Sequence, residues 1–455
     1  MNNIFEKHKK TKNISRKDST LMIVLKNASW IFTGKLFLAL SGLVVSVIIS
    51  RYLGPEENGI FNYVLAFTTL FSAISGMGME EIAVKEFNIR SDDSGSILFS
   101  GFILKLCGGI SACVLTIIAS NIVKISYDKR IYIIIISISF IFQAFDIFLY
   151  WFQSQSSNKT VVLCQNFIRI IFIILKLLLA VFKGNLLHFV IITTIETIIL
   201  SVSLVFIYQY NSIKAGKLSF NKAIFGKLFR LSWPLMLSGI AASIYMKIDQ
   251  VMIGEMLGDY ELGIYSVAVR LAESWYFIPI GVGAAVLPFI AKSYKESEEK
   301  MNQLMQVYAD GMTLIAYAAS IGIVLFAKPI IYILFGSKYL SADNLLILYV
   351  WSGVFVNFGL IRGSYVSIKE CTRISVYGTI MGAVGNVLLN AWLIPTYGAT
   401  GAVWATIIAQ MLAALLSSFF FKETRGLAVI ECYSLFPFVR LFKEMKRYLN
   451  GKKTR

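Results

Sequence analysis

The stretch Arg51-Tyr52-Leu53-Gly54-Pro55-Glu56-Glu57-Asn58-Gly59-Ile60-Phe61 has a partial copy downstream, Leu257-Gly258-Asp259-Tyr260-Glu261-Leu262-Gly263-Ile264-Tyr265. Each copy contains a Leu-Gly pair, four further residues and Gly-Ile-aromatic, and the two copies are 204 residues apart. Each copy also lies between two long apolar runs. A repeat of nearly half the chain predicts two homologous lobes, and the glycines of each copy predict a tight turn between two helices.

The composition is that of a membrane protein. Of the 455 residues, 57% are hydrophobic and only 15% are charged, and the mean hydropathy is +0.70. These values lie well outside the usual balance of soluble domains. A helix that crosses the hydrocarbon core needs about 20 apolar residues. We count twelve candidate spans, which begin near Ser29, Ile60, Ile97, Ile131, Val161, Leu186, Leu231, Leu262, Val307, Leu345, Ile374 and Ala399.

The formal charge of +17 reflects membrane topology. If the N-terminus is cytoplasmic, 29 of the 43 Lys and Arg residues fall on the cytoplasmic side. The positive-inside rule then places both termini in the cytoplasm. This distribution disfavours a nucleic-acid partner and instead predicts attraction of the basic ends to anionic membrane lipid.

The repeat and the charge pattern together divide the chain into four parts. We expect a basic cytoplasmic head at 1–28, six-helix lobes at 29–210 and 211–421, and a basic tail at 422–455. Apolar and basic residues are interleaved in the tail, which predicts an amphipathic helix on the inner leaflet. The apolar residues of this predicted helix are Phe436, Phe438, Val439, Leu441, Phe442, Met445 and Leu449.

Eleven ionisable residues fall inside the candidate spans, where each costs several kcal/mol unless it meets a partner or water. The basic ones are Lys35, Lys105, Arg169, Lys176, Lys247, Arg270 and Arg362. The acidic ones are Asp146, Glu196, Asp249 and Glu273. Depth along the helices suggests pairs of Asp146 with Arg169 and of Lys176 with Glu196, and cross-helix pairs of Lys247 and Asp249 with Arg270 and Glu273.

These charges allow two interpretations. They either pair within the protein and set helix register, or they line a hydrated cationic cavity between two lobes. The excess of three basic residues favours the cavity for the set as a whole. Such a cavity suits an anionic, hydrated cargo, carried by alternating access of two lobes. Arg362 has a third interpretation, because its long side chain is near enough to a span end to snorkel to the interface.

Enzymatic chemistry is not expected. The loops are short, the chain has two histidines, and it lacks a phosphate-cradling glycine motif and a nucleophile elbow. The five cysteines lie in spans or on the cytoplasmic side, where disulfides rarely persist, and no metal-ligand spacing or cofactor motif is present. Asp146, Glu196, Asp249 and Glu273 are candidates for coupling to a proton or sodium gradient.

Several motifs, taken in order, resemble those of bacterial polysaccharide transporters, the Wzx-type flippases of the MOP (MATE-like) superfamily. The first is the Leu53-Gly54-Pro55-Glu56-x-x-Gly59-Ile60-Phe61 turn. The others are Tyr150-Trp151-Phe152-Gln153, Ile248-Asp249-Gln250-Val251-Met252-Ile253-Gly254, Leu334-Phe335-Gly336-Ser337-Lys338-Tyr339 and Asn386-x-x-x-Asn390-x-x-x-Ile394-Pro395-x-Tyr397-Gly398-x-x-Gly401-Ala402. The resemblance covers the chain from Ser29 to Phe421.

This resemblance implies an all-α, multi-pass protein of the bacterial plasma membrane with two six-helix lobes. It implies a cargo of undecaprenyl-pyrophosphate-linked oligosaccharide, the repeat unit of O-antigen or capsule, which moves to the outer leaflet. A polysaccharide polymerase and a chain-length regulator are the further partners it implies. Two alternatives stay open: a cation-coupled multidrug extruder of the same fold, which would favour an acidic cavity, and a non-transporting scaffold or polymerase, for which a large outer loop is expected.

Overall fold

The computed structural model describes residues 2–123, 125–155, 157–210, 215–438 and 440, and it describes no side chains at 2–32, 35, 372 and 373. Within these ranges the secondary structure is helical, which confirms the predicted all-α class. The helices are α1 (Asn2–Gly76), α2 (Met79–Ile89), α3 (Ser94–Ile122), α4 (Tyr127–Ser137), α5 (Ser139–Phe142), α6 (Asp146–Ser154), α7 (Asn158–Val181), α8 (Leu186–Tyr210), α9 (Lys222–Met256), α10 (Asp259–Glu273), α11 (Phe277–Glu296), α12 (Glu298–Phe335), α13 (Ala342–Tyr349), α14 (Ser352–Ile368), α15 (Thr372–Met411), α16 (Ser417–Phe420) and α17 (Arg425–Ser434).

Ten helical segments in the described part of the chain are long and apolar enough to cross a membrane. Two of them, Leu36–Ile89 and Ile374–Phe420, contain 54 and 47 residues. At 1.5 Å per residue each measures about 70–80 Å, more than twice the hydrocarbon thickness of about 30 Å. Each is also broken at a glycine with non-helical backbone angles, Gly54 and Gly398. The protein is therefore a multi-pass membrane protein, and the exact count of twelve passes stays a prediction.

The chain divides into two compact units. The first contains the residues up to Val45 together with Phe71–Leu237, and the second contains Ser46–Leu70 together with everything from Ser238 onward. The hairpin Ser46–Leu70 is thus grouped with the second half of the chain. The predicted lobes at 29–210 and 211–421 stay a prediction from the repeat.

Aromatic side chains join α2, α6 and α8 in the core of the first unit. The rings of Phe87 and Trp151 pack edge to face with their centroids 5.2 Å apart, and the ring centroids of Phe148 and Tyr208 lie 4.9 Å apart. α2 is amphipathic, and its buried residues Met79, Ala83 and Phe87 recur every fourth position, which is the spacing of one helix face. This face fixes α2 against α6.

The core of the second unit includes the beginning of the tail. Leu427 and Ala428 of α17 are fully buried, and Leu427 belongs to the same apolar cluster as Met305 of α12 and Phe358 of α14. The segment Arg425–Ser434 is therefore a packed helix of the bundle, which the sequence pattern did not indicate. Of the predicted amphipathic helix, Phe436 and Phe438 are exposed, and its remaining apolar residues lie outside the described residues.

The two copies of the repeated motif adopt the same turn. Gly54 has φ 79° and ψ 176°, and Gly258 has φ 95° and ψ 173°. This region of backbone space is open in practice only to glycine. The predicted role of these glycines in tight turns is confirmed.

The motifs pack on each other within the second unit, and the contact is reciprocal. A Cβ atom at Gly59 would overlap the carbonyl oxygen of Asp259, and a Cβ atom at Gly263 would overlap the carbonyl oxygen of Pro55. The two contacts are equivalent in the repeat, because the 204-residue offset takes Gly59 to Gly263 and Pro55 to Asp259. The buried Asn58 side chain reinforces the contact by donating to the carbonyl oxygen of Gly263 at 3.3 Å. The two copies of the repeated motif therefore contact each other reciprocally.

We predict that Gly59→Ala lowers the free energy of unfolding by about 2–3 kcal/mol, the upper range for overpacking, because the added methyl group meets backbone that cannot rotate away. Thermal unfolding of the purified protein in detergent measures the change. Gly322→Ala, in α12, is the matched control, since a Cβ atom there meets nothing within 4 Å. A Gly59→Ala protein as stable as this control would contradict the reciprocal contact.

Candidate functional site

Lys105, Asp146 and Tyr150 form a buried polar cluster in the first unit. The Lys105 Nζ lies 3.6 Å from the Asp146 carboxylate and donates to the Tyr150 hydroxyl at 3.2 Å. Ser201 of α8 donates to the same carboxylate at 3.3 Å. The predicted pairing of Asp146 with Arg169 is therefore wrong. Helix depth was a poor guide because α3 packs beside α6 and presents Lys105 to Asp146.

The predicted pair of Lys176 with Glu196 is present. The Lys176 Nζ donates to the Glu196 carboxylate at 2.5 Å, and the Lys176 side chain is 4% exposed. α7 and α8 are neighbours in sequence and in space, which is why depth counting succeeded here. Arg169 interacts electrostatically with Glu196, and its Nη1 is buried without a hydrogen-bond partner among the described residues.

In the second unit, tyrosine hydroxyls hold the acidic residues. Asp249 accepts from the Tyr265 hydroxyl at 2.5 Å, and Glu273 accepts from the Tyr349 hydroxyl at 3.2 Å. The two tyrosine rings meet edge to face at 6.1 Å, so they connect the two carboxylates. The predicted cross-helix ion pairs are wrong, since no described carboxylate lies within 4 Å of Lys247 or Arg270.

Arg270 occupies an unusual position on α10. Every other residue from Leu262 to Ala272 is buried, whereas Arg270 is exposed. The residues on either side of Arg270 in this stretch are thus covered by protein, while the Arg270 side chain is not. Within the described residues no carboxylate lies within 4 Å of Arg270, although Glu273 interacts with it electrostatically.

Arg362 is held inside the second unit. Its Nη1 donates to the carbonyl oxygen of Ala413 and to the Ser417 hydroxyl, and the residue is 5% exposed. Snorkelling to the interface is therefore wrong for Arg362, because buried protein groups bind its guanidinium. The remaining basic candidate, Lys35, has a side chain outside the described residues.

The basic candidates thus fall into two groups. Lys105, Lys176 and Arg362 are buried and bound by protein groups, whereas Arg169, Lys247 and Arg270 lack an ion pair within 4 Å in the described part of the chain. Sequence reasoning identified Glu196 as the partner of Lys176 and missed the other residues that bind the first group and the carboxylates. Tyr150 carried a signal, since it lies four residues after Asp146 on one helix face. Tyr265, Tyr349 and Ser417 carried none.

Ten apolar segments long enough to cross a membrane, with ionisable side chains inside them, define a polytopic membrane protein. The family described as polysaccharide biosynthesis protein matches residues 24–294. Because this match spans more than half of the chain, the protein belongs to that family. The family described as MatE matches residues 234–392.

Relatives and solved structures agree with this assignment. The chain is 22% identical to the capsular polysaccharide biosynthesis protein CapF of Staphylococcus aureus, over 88% of this chain and 100% of the relative. It is 23% identical to a putative O-antigen transporter of Shigella flexneri, over 90% of this chain and 100% of the relative. Its fold is similar to the inward-facing conformation of a multidrug resistance MATE family transporter of the MOP superfamily, with a TM-score of 0.70, 16% identity and coverage of 86% and 94% of the two chains.

The Lys176–Glu196 pair generates an asymmetric prediction. We expect Glu196→Gln to cost about 3–5 kcal/mol of unfolding free energy, as for a buried pair that loses one partner, because it leaves Lys176 buried and unpaired. We expect Lys176→Met to cost less, since Glu196 is 17% exposed and has Arg169 beside it. Unfolding in detergent measures both variants.

The control is the double variant Lys176→Met with Glu196→Gln, which removes both charges and is expected to recover most of the lost stability. Equal losses in the two single variants, or a double variant as unstable as Glu196→Gln, would contradict the pairing.

Proposed function

We propose that this protein is a lipid-linked oligosaccharide flippase. In this proposal it moves undecaprenyl-pyrophosphate-linked repeat units of O-antigen or capsule from the inner to the outer leaflet. Family membership and the names of the full-length relatives support the polysaccharide pathway. The polymerase and the chain-length regulator stay predicted partners, and alternating access by two lobes stays a prediction from the repeat.

The observation that carries the proposal is the exposure of Arg270 within Leu262–Ala272 of α10, whose other residues are buried. A pyrophosphate group is a hydrated dianion or trianion, and a guanidinium binds phosphate oxygens in a bidentate arrangement. An arginine that is already bound to a carboxylate cannot do this without breaking the pair. Arg270 is open to solvent and has no such pair, so it is the best-placed group for the anionic part of the cargo.

Lys247 and Arg169 extend this assignment. Both lack a carboxylate within 4 Å in the described part of the chain, and each is partly exposed. We assign them to the same task as Arg270, contact with the pyrophosphate or with acidic sugars. Lys105, Lys176 and Arg362 take structural roles, because protein groups already bind them.

A cation-coupled multidrug extruder is the second candidate, since the fold is shared with a MATE family transporter. A cationic drug is expected to pair with carboxylates. In the second unit Asp249 and Glu273 already accept hydrogen bonds from tyrosines, whereas Arg270 is exposed. This charge arrangement favours an anionic cargo.

We predict that Arg270→Gln lowers surface polysaccharide about ten- to hundredfold, since a hydrogen bond to a charged group contributes about 1.5–3 kcal/mol and 1.4 kcal/mol is about tenfold. Undecaprenyl-linked units are expected to accumulate at the inner leaflet. Arg169→Gln is expected to act in the same direction.

Immunoblotting of surface polysaccharide and extraction of lipid-linked units measure both effects at matched protein levels in the membrane. Lys292→Gln is the control, because it neutralises an exposed cation at the end of α11. Normal polysaccharide in both arginine variants would overturn the assignment of these residues to the cargo.

Coupling to an ion gradient is a further part of the proposal. Asp146, Glu196, Asp249 and Glu273 are the candidate groups, and the buried Asp249 is the strongest, because its partners Tyr265 and Gln250 are neutral. We expect coupling to one gradient, of protons or of sodium ions. Transport in vesicles is then expected to stop when that gradient is collapsed. Asp249→Asn is expected to make the residual transport insensitive to that gradient. Transport unchanged after both gradients are collapsed would exclude coupling.

A further inference from the structure

Glu431 is a buried carboxyl group in the tail helix α17. The residue has no exposed surface, and neither of its oxygens has a hydrogen-bond partner among the described residues. The Ser418 hydroxyl interacts with this carboxyl group, but its proton is donated to the carbonyl oxygen of Ala414 at 3.1 Å, so Ser418 offers a carboxylate no donor. A buried carboxylate without a partner is among the costliest groups in a protein. This cost disappears when the carboxyl group carries a proton.

The group that faces Glu431 is Arg362, on α14. Among the described residues, no ion pair within 4 Å joins Arg362 to this carboxyl group. Its Nη1 is bound to Ala413 and Ser417 instead, and its Nε is buried without a partner in the described part of the chain. The Nε of Arg362 is therefore a buried donor without an acceptor, and the carboxylate of Glu431 is a buried acceptor without a donor, among the described residues.

The backbone around Arg362 is shaped to hold it. Leu412–Leu416 form a π-helical turn between α15 and α16, an irregularity that occurs often at functional sites. Ala413, whose carbonyl oxygen accepts from Arg362, lies in this turn. Gly378 of α15 provides the space, since a Cβ atom there would overlap the guanidinium. Arg362 thus lies in a slot formed by α15 and the π-helical turn, and it interacts electrostatically with Glu431.

On the other elements packed against α17, the charged groups named here either have partners of their own or are exposed. On α12, Asp310 accepts from Gln306 and from Ser434, both at 2.8 Å, and lies 3.7 Å from Arg440. On the segment before α17, Lys422 and Glu423 are exposed. On α16, the Ser417 hydroxyl donates to the carbonyl oxygen of Ala413 at 2.6 Å. Tyr245 of α9 interacts with Arg362.

We infer that Glu431 is a proton-binding site that latches the tail helix to the second unit, with Arg362 as the alternative partner of its carboxyl group. At low pH the carboxyl group is protonated and Arg362 stays on Ala413 and Ser417, as in this structure. When Glu431 releases its proton to water, the buried carboxylate takes the Nε of Arg362 as its partner, and α17 is held less firmly than by the protonated group. The inference concerns the tail and is independent of the proposed cargo.

The direction of the pH dependence follows from burial. Burial raises the pKa of Glu431 well above its usual range, and Arg362 opposes this shift. A carboxyl group whose pKa is raised by folding stabilises the fold at low pH, and this contribution is lost as the pH rises through the raised value. The sensitive window therefore lies above about 4.3, the ordinary pKa of glutamate.

Infrared difference spectroscopy tests the inference on the purified full-length protein in lipid membranes without cargo. We expect a protonated-carboxyl component that disappears between acidic and alkaline pH and that is missing from the spectrum of Glu431→Gln. Glu423→Gln is the matched control and is expected to keep this component, because Glu423 is exposed. A Glu431→Gln spectrum that retains every protonated-carboxyl component of the wild type would overturn the proton site.

A second variant tests the role of Arg362. Since the guanidinium favours the charged carboxylate, Arg362→Gln is expected to shift the disappearance of the band to higher pH. The protection of α17 against amide hydrogen exchange, corrected for the intrinsic pH dependence of exchange, reports the latch separately. It is expected to fall as the pH rises in the wild type but not in Glu431→Gln. An unchanged titration in Arg362→Gln would show that Arg362 is not the alternative partner.

Discussion

Ionisable side chains inside a membrane protein must reach a partner or water, since the hydrocarbon core solvates neither charge. This constraint orders the polar residues of the protein. Lys105 and Lys176 each meet a carboxylate, Arg362 meets a carbonyl oxygen and a hydroxyl group, and Asp249 meets a tyrosine. Arg270 differs from these residues, because it is exposed while the other residues of Leu262–Ala272 are buried. This difference is the reason why Arg270 is proposed to contact the cargo.

The repeated motif shows how an internal duplication becomes a three-dimensional contact. Gly54 and Gly258 allow the chain to turn in a region of backbone space that other residues avoid. Gly59 and Gly263 then allow each copy to press against a carbonyl oxygen of the other. The first copy is grouped with the second half of the chain, so the hairpin Ser46–Leu70 connects sequence-distant helices within one compact unit. Such an arrangement suits a membrane protein, whose helices associate through close packing of small residues and not through the hydrophobic effect.

Sequence reasoning was most accurate where neighbours in sequence are neighbours in space. The Lys176–Glu196 pair joins two consecutive helices, and counting residues from the connecting loop placed both at one depth. The same counting failed for Asp146, whose partner Lys105 comes from an earlier helix, and for Asp249, whose partner is a neutral tyrosine. The tail shows a different limit. Its basic and apolar pattern from Phe436 onward predicted a surface helix, which lies mostly outside the described residues, and gave no sign of α17, which is buried in the second unit with Glu431 inside.

By itself the sequence determined the all-α membrane class, the repeat, the turn glycines and the resemblance to polysaccharide transporters, which family membership later confirmed. These features are local or periodic, and a bilayer leaves a hydrophobic stretch of about 20 residues few structures other than a helix. Only the tertiary structure decided which charges are bound and which are exposed. The physical reason is that pairing depends on which helix faces intervene between two residues, and apolar periodicity does not record helix neighbours. The separation of Arg270 from Lys105, Lys176 and Arg362 is a property of packing, although all four look alike in the sequence.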